Sequence, residues 1–232
     1  MKYQALNHPI FKIISQSAEE LGIDAYVIGG FVRDYILQRG QHKDIDIVAI
    51  GSGIDLAKQV AKHIPNRPKV QVFKTYGTAM LRYEDIEIEF VGARKESYTE
   101  ESRNPIVDNG TLEDDQNRRD FTINAMALDL GPASFGNLLD PFGGIADLEA
   151  KTIRTPLDPD ITYSDDPLRM MRAIRFATQL NFTIEKKSLD AISKNKDRIK
   201  IITNERIVVE LNKILESDIP SIGFLLLEQT GI

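Results

Sequence analysis

Asp44 and Asp46 stand one residue apart in "KDIDIVAIG", residues 43–51, inside an otherwise apolar, β-branched run. In a strand, residues i and i+2 project from one face, so the two carboxylates converge while Ile45 and Ile47 turn to the other side. Carboxylates that close repel unless a proton or a cation sits between them. A hard cation with oxygen ligands, Mg²⁺ above all, suits such a pair and keeps water and phosphate in its shell. The alternative is an edge strand bearing two solvated charges. The residues upstream favour the metal. Gly29-Gly30 closes "AYVI" and opens "FVRDYIL", with Arg33 and Asp34 one turn in. A strand–Gly–Gly–helix turn of this kind faces bare backbone N–H groups toward an anion. Phosphate on amides and metal on aspartates is the chemistry of nucleotidyl transfer.

A third carboxylate would complete a two-metal site, whose ions stand ~4 Å apart. "IEIEFVGAR", residues 86–94, offers Glu87 and Glu89, again at strand spacing. Either reaches the aspartates if the two strands are neighbours; otherwise the pair is only the polar face of an alternating strand.

These groups need elements to position them. "HPIFKIISQSAEELG" has helical spacing and stops at Gly22, and "GSGIDLAKQVAKHIP" reads as a second helix closed by Pro65. "KVQVFKTYGTAMLRYE" and "DIEIEFVGAR" read as an antiparallel pair turning at Glu84-Asp85. Residues 95–117 are polar and aperiodic, which predicts a long loop. "RRDFTINAMALDL" reads as a helix or a helix–strand junction, and a DPFGG turn precedes one last strand. After Pro156 the patterns are all helical. The expected fold is therefore an α/β unit with a mixed sheet over residues 1–155, followed by an all-helical unit over 156–232.

The chain has 232 residues, 42% hydrophobic and 28% charged, with a formal net charge of -6. That length carries a substantial core, and the negative charge argues against a protein that simply coats nucleic acid. There is no cysteine, which excludes disulfides and thiolate metal sites. The opening residues lack the apolar core of a signal peptide and no run of 18 apolar residues occurs, so a cytoplasmic protein without a membrane partner is expected.

Taken together, "GGFVRDYIL" and "KDIDIV" resemble the signature head of the class II tRNA nucleotidyltransferases, the CCA-adding enzymes, a family that includes bacterial poly(A) polymerases. "RRDFTINAMAL", "DPFGG" and "DDPLRMMRAIRFA" follow in the family's order, between about Val27 and Phe176, with a looser match to about Leu215. The resemblance implies a nucleotidyltransferase head with a largely antiparallel mixed sheet, then a helical neck. It implies addition of CMP and AMP from CTP and ATP to the 3′ end of tRNA, with two Mg²⁺ ions and no DNA partner. Poly(A) synthesis, or addition of only CC or only A, shares these motifs and stays open. A non-catalytic RNA- or nucleotide-binding module is the reading from another class. Family members carry further helical domains that bind tRNA, so a chain ending at Ile232 is expected to lack much of that grip. Oligomeric state is left open.

By position, the resemblance makes Asp44 and Asp46 the metal ligands and Glu89 the third carboxylate, with Glu87 in reserve. Gly29, Gly30, Arg33 and Asp34 fall at the phosphates, and Arg118, Arg119, Asp120 and Asn124 at the ribose and triphosphate. Asp166 and Arg169, three apart and expected on one helix face, combine an acceptor with a donor. Such an edge pairs with cytosine or adenine and leaves a group unpaired against uracil or guanine, at roughly 1–3 kcal/mol per lost bond. Arg172 and Arg175 continue at intervals of three, either as a basic track for triphosphate or RNA or as a solvated face.

Overall fold

Why the chain folds back on Gly22 is visible in the first helix. In the computed structural model, which describes residues 6–40, 43–99 and 102–232 (without the side chains of 95–99 and 102–109), α1 runs Pro9–Leu21. The His8 ring accepts the Ile10 N–H at its start, and Pro9 takes the first turn, where no N–H is needed. Gly22 then adopts φ 65°, and the N–H groups of Gly22 and Ile23 bond Glu19 and Ala18 at 3.0 and 3.1 Å. This is the Schellman ending that a left-handed glycine permits. Ile10, Ile14 and Ala18, one turn apart, form the buried stripe.

The chain divides into two compact units, one of residues 1–95, 107–116 and 124–142, the other of 96–106, 117–123 and 143–232. The first is built on a seven-stranded sheet. Its strands are β1 (Ala25–Ile28), β2 (Asp44–Ala49), β3 (Gln71–Phe73), β4 (Thr78–Tyr83), β5 (Ile86–Gly92), β8 (Ala127–Asp129) and β9 (Leu138–Leu139). Their order is β3-β4-β5-β2-β1-β8-β9. Only β2 and β5 pair in parallel; every other neighbouring pair is antiparallel. The expected mixed, largely antiparallel sheet is present. Helix α2 (Gly30–Ile36) follows β1 directly, and α3 (Gly53–His63) leaves β2 after Ser52, whose hydroxyl caps Asp55.

The sheet has two unlike faces. Ile45, Ile47, Ile86, Ile88 and Phe90 are buried on one, against which α3 packs with α1 on top of it. The other carries Asp44, Asp46, Glu87 and Glu89, and toward β1 a smaller apolar cluster of Ile28, Val48, Ala93 and Ala127. This alternation is what places carboxylates beside a core without burying them in it.

Three local expectations change. The run 69–84 is not one strand: a 3-10 turn at Lys74–Tyr76, closed by Gly77 at φ 64°, separates β3 from β4. Among the described residues of 95–117 the chain is ordered as β6 (Arg94–Thr99) and β7 (Ser102–Asn109), a two-stranded sheet of their own, and α4 (Leu112–Asn117); residues 100 and 101 of that stretch lie outside the described residues. "RRDFTINAMALDL" holds a single 3-10 turn, Thr122–Asn124, before β8.

The second unit is mainly helical: α5 (Gly144–Glu149), α6 (Pro159–Asp165), α7 (Leu168–Leu180), α8 (Lys186–Asn195), α9 (Asn204–Leu215) and α10 (Pro220–Thr230). Two short strands, β10 (Thr152–Ile153) and β11 (Thr183–Ile184), pair in parallel within it. This compact unit takes in the chain from Gly143, ahead of the change of composition at residue 155. No helix among the described residues is long and apolar enough to cross a membrane.

The start of α3 rests directly on β5. A Cβ on Gly53 would stand 2.7 Å from the Val91 carbonyl carbon and 2.8 Å from the Gly92 nitrogen. Backbone cannot yield as a flexible side chain does, so Gly53→Ala is expected to cost roughly 1–3 kcal/mol. Thermal denaturation checks this as a fall in Tm; an unchanged Tm would mean that α3 is free to lift off the sheet.

Candidate active site

The parallel register of β2 and β5 decides which carboxylates meet. Asp46 lies opposite Glu89 and Asp44 opposite Glu87. Adjacent strands are about 4.8 Å apart, so the side chains of each pair are close neighbours on one face. Between unit charges about 5 Å apart the repulsion runs from about 1 kcal/mol in water to about 3 kcal/mol at an effective dielectric of about 20.

Strand β4 treats the two glutamates differently. Its row facing them is Thr78, Met80 and Arg82, paired with Val91, Glu89 and Glu87. Arg82 Nη2 donates to Glu87 Oε2 at 2.9 Å and neutralises it. Glu89 instead has the buried Thr78 diagonal to it on the same face. Although Glu89 is exposed as a residue, its carboxyl is raised above the ordinary value. The cause is first its partial withdrawal from water and then the charge of Asp46, against which Thr78 and Arg94 act.

Among the described residues no group of three or more His, Cys, Asp or Glu is gathered to hold a metal ion by itself. Asp46 lies directly beside Glu89, while Asp44, on the same face, stands one pleat further along and is exposed. The donor set is all oxygen and anionic. It fits a hard divalent cation that completes its shell with water and phosphate oxygens.

The glycine turn abuts this pair, because Ile28, the last residue of β1, lies opposite Asp46. Gly29 adopts φ 83° and ψ -136°, a conformation that essentially only glycine visits. Its N–H donates to the Met126 carbonyl at 3.4 Å. Arg33 is buried and directed inward. Its Nε and Nη2 take both Asp34 oxygens at 2.8 and 2.7 Å, and its Nη1 donates to Asn124 Oδ1 at 2.7 Å. The Arg33 guanidinium braces the α2 turn against Asn124. The fork geometry of guanidinium favours this bidentate arrangement.

The other expected residues belong to the second unit. Asp120 is buried, with Oδ1 accepting the Phe121 N–H at 2.9 Å and Oδ2 receiving Arg172 Nε and Nη2 at 2.7 and 2.6 Å. Arg118 and Arg119 are half-buried in the preceding bend. Asp166 stands just ahead of α7, one turn before Arg169, whose N–H donates to the Asp166 carbonyl at 3.0 Å. Pro167 drives the residue before it out of the helical region, and Asp166 sits at φ -132°, ψ 97° between α6 and α7. Its Oδ1 caps the Leu168 N–H at 3.2 Å, with Arg206 3.8 Å from Oδ2. Arg169 turns to backbone carbonyls, donating to Arg118 at 2.5 Å and Thr162 at 3.5 Å. The basic track is also redrawn. Arg175 is buried, 3.1 Å from Glu210 of α9 and with its guanidinium 4.1 Å from the Phe176 ring centroid, so neither a solvated face nor an open track includes it.

A mixed sheet with paired carboxylates beside a strand–Gly–Gly–helix turn is the architecture of a nucleotidyltransferase head. The family described as the poly A polymerase head domain matches residues 25–154, and a probable RNA- and SrmB-binding site of polymerase A matches 181–232. The chain belongs to the poly(A) polymerase head-domain family. An A-adding tRNA nucleotidyltransferase of Aquifex aeolicus is 37% identical over 196 residues, covering 84% of this chain and 23% of that protein. A CCA-adding enzyme of a Geobacillus species is 36% identical over 221 residues, covering 94% and 52%. Among solved structures, a tRNA nucleotidyltransferase complexed with a primer tRNA and an incoming ATP analog is 33% identical with a TM-score of 0.81, covering 94% of this chain and 60% of that one. A Thermotoga maritima CCA-adding enzyme complexed with tRNA is 32% identical with a TM-score of 0.82, covering 96% and 50%. The chain thus spans a quarter to about half of the curated relatives' length.

Because the Glu89 carboxyl is raised in the fold, its ionisation costs stability at neutral pH. The cost is absent below its ordinary value of 4.5, where folded and unfolded chains both hold the proton, and grows as pH rises through the folded value. Glu89→Gln is therefore expected to raise Tm at neutral pH and to match the wild type in acid. A neutral-pH Tm below that of the wild type would mean that Glu89 is a net stabilising charge.

Proposed function

We propose that this chain is the catalytic head, residues 1–155, and neck, residues 156–232, of a template-independent RNA nucleotidyltransferase that adds CMP and AMP from CTP and ATP to the 3′ end of tRNA. The observation that carries the reading is the in-register Asp46–Glu89 pair, on the one parallel ladder of the main sheet, in a chain of this family. Its relatives are named for A-adding and CCA-adding activity, and the solved neighbours include complexes with primer tRNA. A cytoplasmic setting goes with these substrates.

Asp46 and Glu89, with Asp44 beside them, are the residues proposed to hold Mg²⁺, two ions in the full complex. Bound there, the metal supplies Lewis-acid activation of a 3′-hydroxyl and charge neutralisation at the triphosphate. The chain's own residues do the rest. Gly29 and Gly30 bring a turn without side chains beside Asp46, where phosphate oxygens approach closely, and Arg33 and Asp34 hold that turn to Asn124. Glu87 is excluded from the metal set by Arg82.

Arg118, Arg119 and Asp120 of the head and Arg172 of the neck are proposed to face the nucleotide, and Asp166 and Arg169 to read its base. In the present arrangement Asp166 caps α7 and Arg169 holds backbone carbonyls, so base reading requires Arg169 to exchange those carbonyls for the base edge. Arg175 and Glu210 are assigned to holding α7 on α9. Addition of A alone is the second reading, favoured by the Aquifex relative.

Incubation with Mg²⁺, tRNAs ending before C, after one C and after both, and one labelled nucleotide at a time tests the proposal. Ordered C, C, A addition without U or G is expected; addition of A alone to the CC end selects the second reading. Asp46→Ala is expected to lower either activity at least about a thousandfold, the several kcal/mol that metal-assisted charge stabilisation contributes. Near-normal transfer by Asp46→Ala would overturn the assignment of the pair.

A further inference from the structure

Thr78 has no place among the motif residues, yet three observations converge on it. It opens β4 immediately after the Gly77 turn and is 5% exposed, one of few buried hydroxyls in the sheet. The register sets it diagonal to Glu89, since Thr78 pairs with Val91 and Met80 with Glu89, and its side chain shares the carboxylates' face. Its hydroxyl favours the ionised form of the Glu89 carboxyl, as a donor facing it does. A buried hydroxyl facing a carboxylate on a rotatable two-methylene stem favours one of the several rotamers that glutamate otherwise samples.

We infer that Thr78 is a positioning residue for metal binding: its O–H holds one Glu89 oxygen so that the other is presented toward Asp46. The inference rests on the proposed role of the Asp46–Glu89 pair. The same β4 row then has two outputs. Arg82 ties Glu87 back as an ion pair, whereas Thr78 orients Glu89 without adding a charge that would compete with a cation. A lysine or arginine at 78 would orient the carboxylate equally well and repel the metal; a hydroxyl does the first without the second. Groups that orient a ligand from outside the coordination shell typically change metal affinity or activity 10–100-fold when removed.

Thr78→Val deletes the hydroxyl while keeping a β-branched side chain suited to a strand, and Thr78→Ser keeps the hydroxyl. Mn²⁺ binding by electron paramagnetic resonance on the full chain, without RNA or nucleotide, is the readout independent of turnover; kcat, KM for CTP and Tm are measured beside it. Thr78→Val is expected to weaken Mn²⁺ binding about tenfold and lower kcat by a similar factor, with KM and Tm little changed. Thr78→Ser is expected to recover both to within about threefold. Equal Mn²⁺ affinity in the wild type and Thr78→Val overturns the inference, as does equal impairment of the two variants, which would assign Thr78 to packing. Failure of the wild type to transfer nucleotides while the Mn²⁺ difference persists would overturn the proposed activity and leave the positioning role supported. A wild type that binds no Mn²⁺ overturns the inference itself.

Discussion

The parallel pairing of β2 with β5 is the constraint on which the rest of the site depends. The rest of the main sheet pairs antiparallel. A single ladder brings together two strands some forty residues apart in sequence, and its register puts Asp46 beside Glu89. A one-residue slip of either strand would turn its carboxylate into the core and its isoleucine, Ile45 or Ile88, out to water. Those isoleucines and Phe90 are buried, and each contributes on the order of 1.5–3 kcal/mol by staying so. The apolar face thus enforces the register, and the register enforces the clash of charges. Hydrophobic burial maintains an electrostatically costly pair.

The surrounding elements reinforce that arrangement. Gly53 lets α3 sit against the β5 backbone, so the helix that covers the apolar face also fixes the strand that carries Glu89. The β1–α2 turn ends beside Asp46 and is braced by the Arg33–Asp34–Asn124 bonds. In the helical unit a second set of charges is consumed internally: Arg172 on Asp120 and Arg175 on Glu210.

Much of this was legible in the sequence. The period of "DIDIVAI" marked a strand with two faces, Gly22 marked a helix end, and Gly29-Gly30 marked a turn, because each depends on local geometry alone. Spacing alone did not separate Glu87 from Glu89, and only the family resemblance pointed to Glu89; the pairing of Arg82 with Glu87 is a tertiary fact. The place of Asp166 ahead of α7, not within it, had a local signal, Pro167, that helical spacing alone overlooks. Spacing also could not show that Arg175 is buried, because its partner Glu210 lies on another helix. Arg33 read as a phosphate ligand from its place near a glycine turn; its three engaged nitrogens depend on Asn124, ninety-one residues away. The strand order within residues 94–109 had no periodic signal at all.

The most direct measurement of the central claim, that Asp46 and Glu89 repel each other until a divalent cation joins them, is Tm as a function of Mg²⁺ concentration at neutral pH, for the wild type and for Asp46→Asn. Binding to the folded chain alone raises stability by mass action. The wild type is expected to gain Tm as Mg²⁺ rises, whereas Asp46→Asn should start higher in metal-free buffer and respond little. Parallel responses in the two proteins, or a metal-free Asp46→Asn less stable than the wild type, would contradict it.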